Sequence, residues 1–257
     1  MTEDSTQLLL SQPEGPRPSV FCEDCSVRKT CVLSQACINA EIARVMRRPK
    51  PIHKGHRLFI QGDKFDTFYL VKSGSFKSTM IDNEGNSQVV SFQFPQDILG
   101  YDGMQSGKHV YEVEALETSS ICALSFPALK RISSESSSGL LHQLMAEVSG
   151  MIIKESKVVM VLARMHSEQR LASFLLETSD RMVECGLSGR EFKLSMQRYD
   201  IANYLGLAVE TVSRLFRHME EEGIIHAQRH WVQILDMEKL KRIKAAEYKF
   251  SGVSKAV

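Results

Sequence analysis

The chain has 257 residues, with ordinary apolar (43%) and charged (25%) fractions and a formal net charge of +1. That length holds two domains with separate cores. The near-neutral total points to neither a nucleic-acid nor a membrane partner, although a compact DNA-reading head needs only a local patch. No stretch approaches the ~20 apolar residues of a membrane span.

Residues 1–20 are polar and contain prolines, and they read as disordered. Leu8–Leu10 is too short for a signal-peptide core, so a cytoplasmic protein is expected. There thiols stay reduced, and clustered cysteines bind metal or act in redox chemistry more often than they form disulfides. Residues 21–38 form a cysteine arm in which "FCEDCSVRKTC" places Cys22, Cys25 and Cys31 in the spacing C-x2-C-x5-C. A mononuclear metal site or an iron–sulfur cluster generally takes four ligands, so the stretch is one short. Cys37 continues the spacing, and with it the arm could bind a metal unaided. A short amphipathic helix is expected at Asn39–Arg47.

From Pro51 to about Ser125, Val/Ile/Phe/Tyr runs are punctuated by turn signals at Gly55, Gly62, Gly74, Gly85 and Gly100. Turn signals spaced roughly ten residues apart predict an antiparallel β sandwich or barrel. The clearest strands are "FYLVKSG" and "QVVSFQF". Cys122 falls on another, with Leu124 on the same face, and by itself reads as a core thiol. Cys185, in a Gly/Ser loop, reads as a bystander. The serines and glycine of Ser133–Gly139 break the pattern.

A long helix is expected from about Leu140 to Arg164. One apolar stripe runs Leu141, Met145, Val148, Ile152, Val159, Leu162, in the alternating steps of a heptad seam. A neighbouring stripe runs Leu140, Leu144, Met151, Val158, Val161, Met165. A helix apolar on two sides needs two partners. These are its own β domain and the same helix of a second subunit; the alternative is burial within one chain. The candidate dimer interface is Val148, Ile152, Glu155, Val159 and Leu162. Glu155 interrupts it, because in a symmetric pair it would meet its own copy. Either it weakens the dimer and makes association conditional, or it pairs with Lys154 or Lys157 of a partner.

"RYDIANYLGLAVETVSRLFRHM", Arg198–Met219, holds two short amphipathic helices around Gly206. Asp200 can cap the first, which turns Ile201, Tyr204 and Leu205 inward. The second starts near Val209 and packs Val212, Leu215 and Phe216. This is the pattern of a helix-turn-helix. On the exposed face Arg214 can bond a guanine bidentately, Glu210 can accept from a cytosine amino group, and Ser213 reads either kind of group. "GIIHAQRHWVQILD" follows as a wing hairpin with a basic turn at Gln228–His230. No paired acid/base motif, nucleophile elbow or phosphate loop suggests an enzyme.

"LGLAVETVSRLFRHMEEEGII", the preceding long helix and the Gly-punctuated β region resemble the CRP/FNR superfamily of bacterial transcription regulators over about residues 20–240. Val209–Arg214 ("VETVSR") is similar to the E-x-x-S-R recognition helix of the FNR branch, and the cysteine arm to that branch's cluster arm. "ALETSSIC" puts Cys122 where FNR proteins carry their remaining cluster ligand. The resemblance implies an α+β fold. Its parts are a β-roll (cyclic-nucleotide-binding-like) sensor domain at 39–135, a dimerisation helix at 136–166, a winged helix-turn-helix at 167–240 and a tail at 241–257. It also implies a 4Fe–4S cluster on Cys22, Cys25, Cys31 and Cys122, which promotes a homodimer and is lost or converted by oxygen. The dimer would bind palindromic double-stranded DNA of the TTGAT…ATCAA type, using Val209, Glu210, Ser213 and Arg214. The turn at Asp82, Gly85 and Asn86 would contact RNA polymerase, or is a plain hairpin. The cyclic-nucleotide branch uses a Gly-Glu turn and an Arg-Ser/Thr pair. Here "GYDGMQSGKHVYEVEALE" has Tyr101 for the Glu and no Arg, which argues against a cyclic nucleotide. The other readings are a zinc-stapled arm, or a thiol-redox arm sensing another signal.

Overall fold

This computed structural model describes Cys25, Cys31, residues 46–135 and residues 138–246, without the side chains of 132–141 and 143. The stretch 1–20, Cys22, Cys37, the span 39–45 of the expected short helix and residues 247–257 lie outside them. Where that helix was expected to end, Met46–Arg47 is instead a strand, β1, paired antiparallel with Leu124 and Ala123. An open sheet edge offers backbone partners that a helix end would leave unused, and Met46 is buried there. The chain divides into two compact units, Met1–Glu155 and Ser156–Val257.

The first unit adds β2 (Arg57–Phe59), β3 (Thr67–Ser73), β4 (Phe76–Ile81), β5 (Ser87–Gln93), β6 (Ile98–Leu99), β7 (Glu112–Ala115) and β8 (Ser120–Ser125). They form two four-stranded antiparallel sheets, ordered β1-β8-β3-β6 and β2-β7-β4-β5. The two-residue period of the strands decides which side chain meets which layer. On β3 and β8, Tyr69, Val71, Ile121 and Ala123 share a cluster with Phe59, Phe76, Val113 and Ala115 of the facing sheet. Phe68, Leu70, Cys122 and Leu124 belong to a separate cluster on the opposite face, with Met46, Phe65, Ile98, Leu129 and Leu144. Cys122 therefore lies on the helix-covered side, outside the core between the sheets.

Helix α1 (Phe126–Glu135) follows, then α2 (Ser138–Arg164). The serine-rich break is narrower than its composition suggests, since Ser133–Glu135 continue α1. Serine costs a helix only a few tenths of a kcal/mol, and Leu129 anchors α1 in the core.

The second unit holds α3 (Ser167–Glu184), β9 (Glu191–Lys193), α4 (Arg198–Leu205), α5 (Val209–Glu221), β10 (Ile225–Gln228), β11 (Trp231–Ile234) and α6 (Met237–Ala245). The three strands make one antiparallel sheet, β10-β11-β9. The first part of the expected tail is helical: Asp236 caps α6 by accepting from Lys239 N at 2.8 Å, and Leu240 is buried. Among the described residues no helix is long and apolar enough to cross a membrane.

Candidate functional site

The reading head is built from α4 and α5. The chain enters α4 at Arg198, two residues before the expected cap. Asp200 sits inside the helix and reaches back to accept from Gln197 N at 2.9 Å. Gly206 ends α4 in the left-handed region at φ 62°, which glycine adopts without steric cost. Ile201, Ala202, Tyr204 and Leu205 are buried in α4, and Val212, Phe216 and Met219 in α5. Leu215 is half-buried. The Arg198 guanidinium lies 3.2 Å from the centre of the Phe216 ring and fastens the start of α4 to α5. Burial pulls its pKa down to about 10 against the opposing effect of Glu220, so it stays charged at neutral pH.

The opposite face of α5 presents Glu210, Ser213 and Arg214 to solvent, while Val209 is half-buried at its first turn. The Ser213 hydroxyl donates to Val209 O at 2.9 Å, so its oxygen is left to accept from a base. Glu210 lies in the first turn of α5, where the helix dipole favours a carboxylate. The wing is the β10–β11 hairpin, with Gln228 opposite Trp231 and Arg229 at φ 54° in the turn. Glu220 of α5 accepts from Ala227 N at 2.9 Å and ties wing to recognition helix. A residue without a sequence signal also matters. Arg170 of α3 donates to the carbonyls of Leu162 (2.8 Å), Met165 (2.9 Å) and Leu205 (3.0 Å). It joins the end of α2 to the end of α4. A lone Arg on an amphipathic helix gives no pattern that would single it out.

At the other end of the molecule's chemistry, Cys25 and Cys31 are half-buried and Cys122 is buried. Cys31 packs against the apolar cluster that contains Cys122. Among the described residues no group of three or more His, Cys, Asp or Glu gathers as a metal site, and Cys22 lies outside them. Cys185 caps the end of α3 in the C-terminal unit.

Residues 169–243 match the family model of a Crp-like helix-turn-helix domain, and residues 49–136 that of a cyclic nucleotide-binding domain. The fumarate and nitrate reduction regulatory protein of Escherichia coli (strain K12) is 34% identical over 228 residues, 88% of this chain and 90% of that protein. The anaerobic regulatory protein of Pasteurella multocida (strain Pm70) is 36% identical over 222 residues, 85% of this chain and 81% of that protein. The regulatory protein HlyX of Actinobacillus pleuropneumoniae is 35% identical over 227 residues, covering 87% and 94%. The chain belongs to the FNR-type branch of the CRP/FNR family. Among solved structures, FixK2 from Bradyrhizobium japonicum shares the fold, with a TM-score of 0.70 at 24% identity over 79% of this chain and 99% of that one.

This FNR-type chain is thus a DNA-binding transcription regulator and not an enzyme. On its long helix, Leu144 is buried and Met151 partly buried against the β-roll cluster. Ile152 and Val159 are 55% and 65% exposed, and Met145, seven residues before Ile152, is exposed too. Val148 and Leu162, of the same stripe as Ile152 and Val159, are half-buried. Glu155 has a partner that the seam pattern does not anticipate. It accepts from the Tyr101 hydroxyl of its own β roll at 2.7 Å, while Lys154 pairs with Asp97 at 3.6 Å. The Asp82–Asn86 turn is ordered by its own groups. Asp82 accepts from Glu84 N (2.9 Å), Asn86 N (2.8 Å) and Asn86 Nδ2 (2.9 Å), and Gly85 supplies φ 85°. The Asn86 side chain holds the Asp82 carboxyl below its ordinary pKa.

Proposed function

We propose that this protein is an oxygen-responsive regulator of anaerobic gene expression. Cys22, Cys25, Cys31 and Cys122 hold a 4Fe–4S cluster as thiolates, which supplies an oxidant-labile link between arm and sheet. The observation that carries this reading is the seating of Cys31 against the cluster that contains Cys122. That packing sets one cysteine of the arm beside the face of the sheet that carries Cys122, as a shared ligand set requires. The family resemblance supports the same ligand set.

With the arm held beside α2, the exposed apolar stripe of Ile152 and Val159 pairs with its copy in a homodimer, with Val148, Glu155 and Leu162 along the same seam. Two linked heads gain avidity, and a two-fold pair reads half-sites about one helical turn apart, ~34 Å, hence a palindrome. Half-sites of the TTGAT…ATCAA type follow from the resemblance. Arg214 reads the guanine, Glu210 accepts from the opposing strand, and Ser213 accepts through its free lone pairs. The ordered turn at Asp82, Gly85 and Asn86 offers RNA polymerase a fixed acidic contact.

Purification without oxygen should give a coloured protein with about four irons and four sulfides per subunit. Cys122→Ser should abolish this and Cys37→Ser should spare it. A colourless zinc protein overturns the cluster; the reverse pattern of mutants moves the fourth ligand to Cys37.

A further inference from the structure

We propose that Tyr101 is a positioning residue for dimerisation: its hydroxyl turns the Glu155 carboxylate onto its own β roll and so lets two copies of α2 approach. This rests on the dimer reading above. The contact joins residues 54 positions apart, a 3₁₀ turn (Tyr101–Gly103) of the β roll and the middle of the long helix. The turn is rigidly placed. The Asp102 side chain, next to Tyr101, is buried and accepts from Val110 N at 2.7 Å and Tyr111 N at 3.2 Å. It also faces His109 Nδ1 at 3.2 Å, and that imidazole stacks on Phe59 with 3.7 Å between ring centres. Lys154, one residue before Glu155, is drawn to Asp97 of the same β roll, so this turn of α2 is held at two adjacent residues.

Burial, with Glu155 as the next cause, raises the Tyr101 pKa well above the ordinary phenol range. The hydroxyl is therefore a neutral donor at any working pH. Glu155 itself lies on the heptad spacing between Ile152 and Val159, both exposed. Left without that donor, its carboxylate would be set at the seam against its own copy, where partial desolvation makes like charges costly. Tyr101 meanwhile packs, like Cys31, Phe126 and Met151, against the buried cluster that contains Cys122. One side chain thus packs against the cluster that contains Cys122 and gives its hydroxyl to the seam residue.

The test is sedimentation equilibrium of the full chain without oxygen, with iron content measured on each sample, for wild type, Y101F, E155A, E155Q and Y101F/E155A. Y101F keeps the ring and should keep the iron, yet weaken the dimer about tenfold, the low end for a hydrogen bond to a charged group. E155A should associate more tightly than wild type, and Y101F should add nothing in that background. Were Tyr101 only a packing residue, Y101F would weaken both backgrounds equally, and the inference falls. It also falls if Y101F tightens the dimer. E155Q keeps the acceptor oxygen without the charge. It should associate at least as tightly as wild type, whatever the folding of Y101F, and a weaker E155Q dimer overturns the inference. A wild type that stays monomeric without oxygen sinks the dimer reading itself; a wild-type dimer indifferent to Y101F sinks only the role of Tyr101.

Discussion

Replacing Arg170 with alanine removes three hydrogen bonds at once, to Leu162 O, Met165 O and Leu205 O. These carbonyls sit at or just beyond the ends of α2 and α4, where intrahelical donors run out. A hydrogen bond contributes about 1 kcal/mol net, which sums to about 3 kcal/mol for the set. Arg170 is half-buried, so water reaches some of the freed carbonyls, and we expect a loss of about 2–3 kcal/mol. Lysine carries a point charge in place of the planar fork and should recover about 1 kcal/mol. Trp231 is the one tryptophan of the chain and lies on β11 of the C-terminal unit, so its fluorescence in a urea titration reports that unit alone. DNA affinity of Arg170→Ala should fall further than its stability loss explains, because the end of α2 no longer fixes the end of α4. A loss under about 0.5 kcal/mol, the scale of an ordinary surface change, or a lysine variant equal to wild type, would refute the clamp.

Gly206→Ala should cost about 1 kcal/mol, the left-handed penalty of a Cβ; the nearest atoms to that Cβ, Arg170 Nη1 at 3.6 Å and Leu162 Cδ2 at 3.9 Å, leave room for it. A loss several times larger in the same urea titration would show that the site is tight as well as left-handed. Arg214→Ala should lose about 1–3 kcal/mol per half-site and relax selectivity there, measured by competition between matched and mismatched duplexes. Arg229→Ala should instead weaken all duplexes alike and lower the salt slope by about one. Asn86→Ala should raise the Asp82 pKa, read by NMR titration of its carboxyl. Because the folded value is depressed, the order Asp82 gives its turn is present above the ordinary carboxylate range and is lost as pH falls through the depressed value.

The helix-turn-helix was legible because its signals are local. Gly206 marks the turn, and Val212 and Phe216 mark the inner face at helical spacing, so their burial follows from periodicity. The strands "FYLVKSG" and "QVVSFQF" were legible for the same reason and appear as β3 and β5. Met46–Arg47 was not, since an edge pairing depends on β8, far along the chain. Helix α6 was hidden by its polar composition; the Asp236 cap, the buried Leu240 and the Lys239–Glu222 pair at 2.8 Å help to hold it.

The sequence by itself determined the reading head, the β-rich region, the heptad spacing of the long helix and the cysteine spacing of the arm. Each is a pattern within a few tens of residues, where period and turn chemistry act directly. Only the tertiary structure decided which stripe of α2 meets the β roll, that Cys31 lies against the cluster of Cys122, and that Glu155 has Tyr101 as its partner. Those contacts join positions that sequence distance separates and that packing alone brings together. A carboxylate on a helix shows its place in the heptad; it does not show which hydroxyl, folded in from another part of the chain, will meet it.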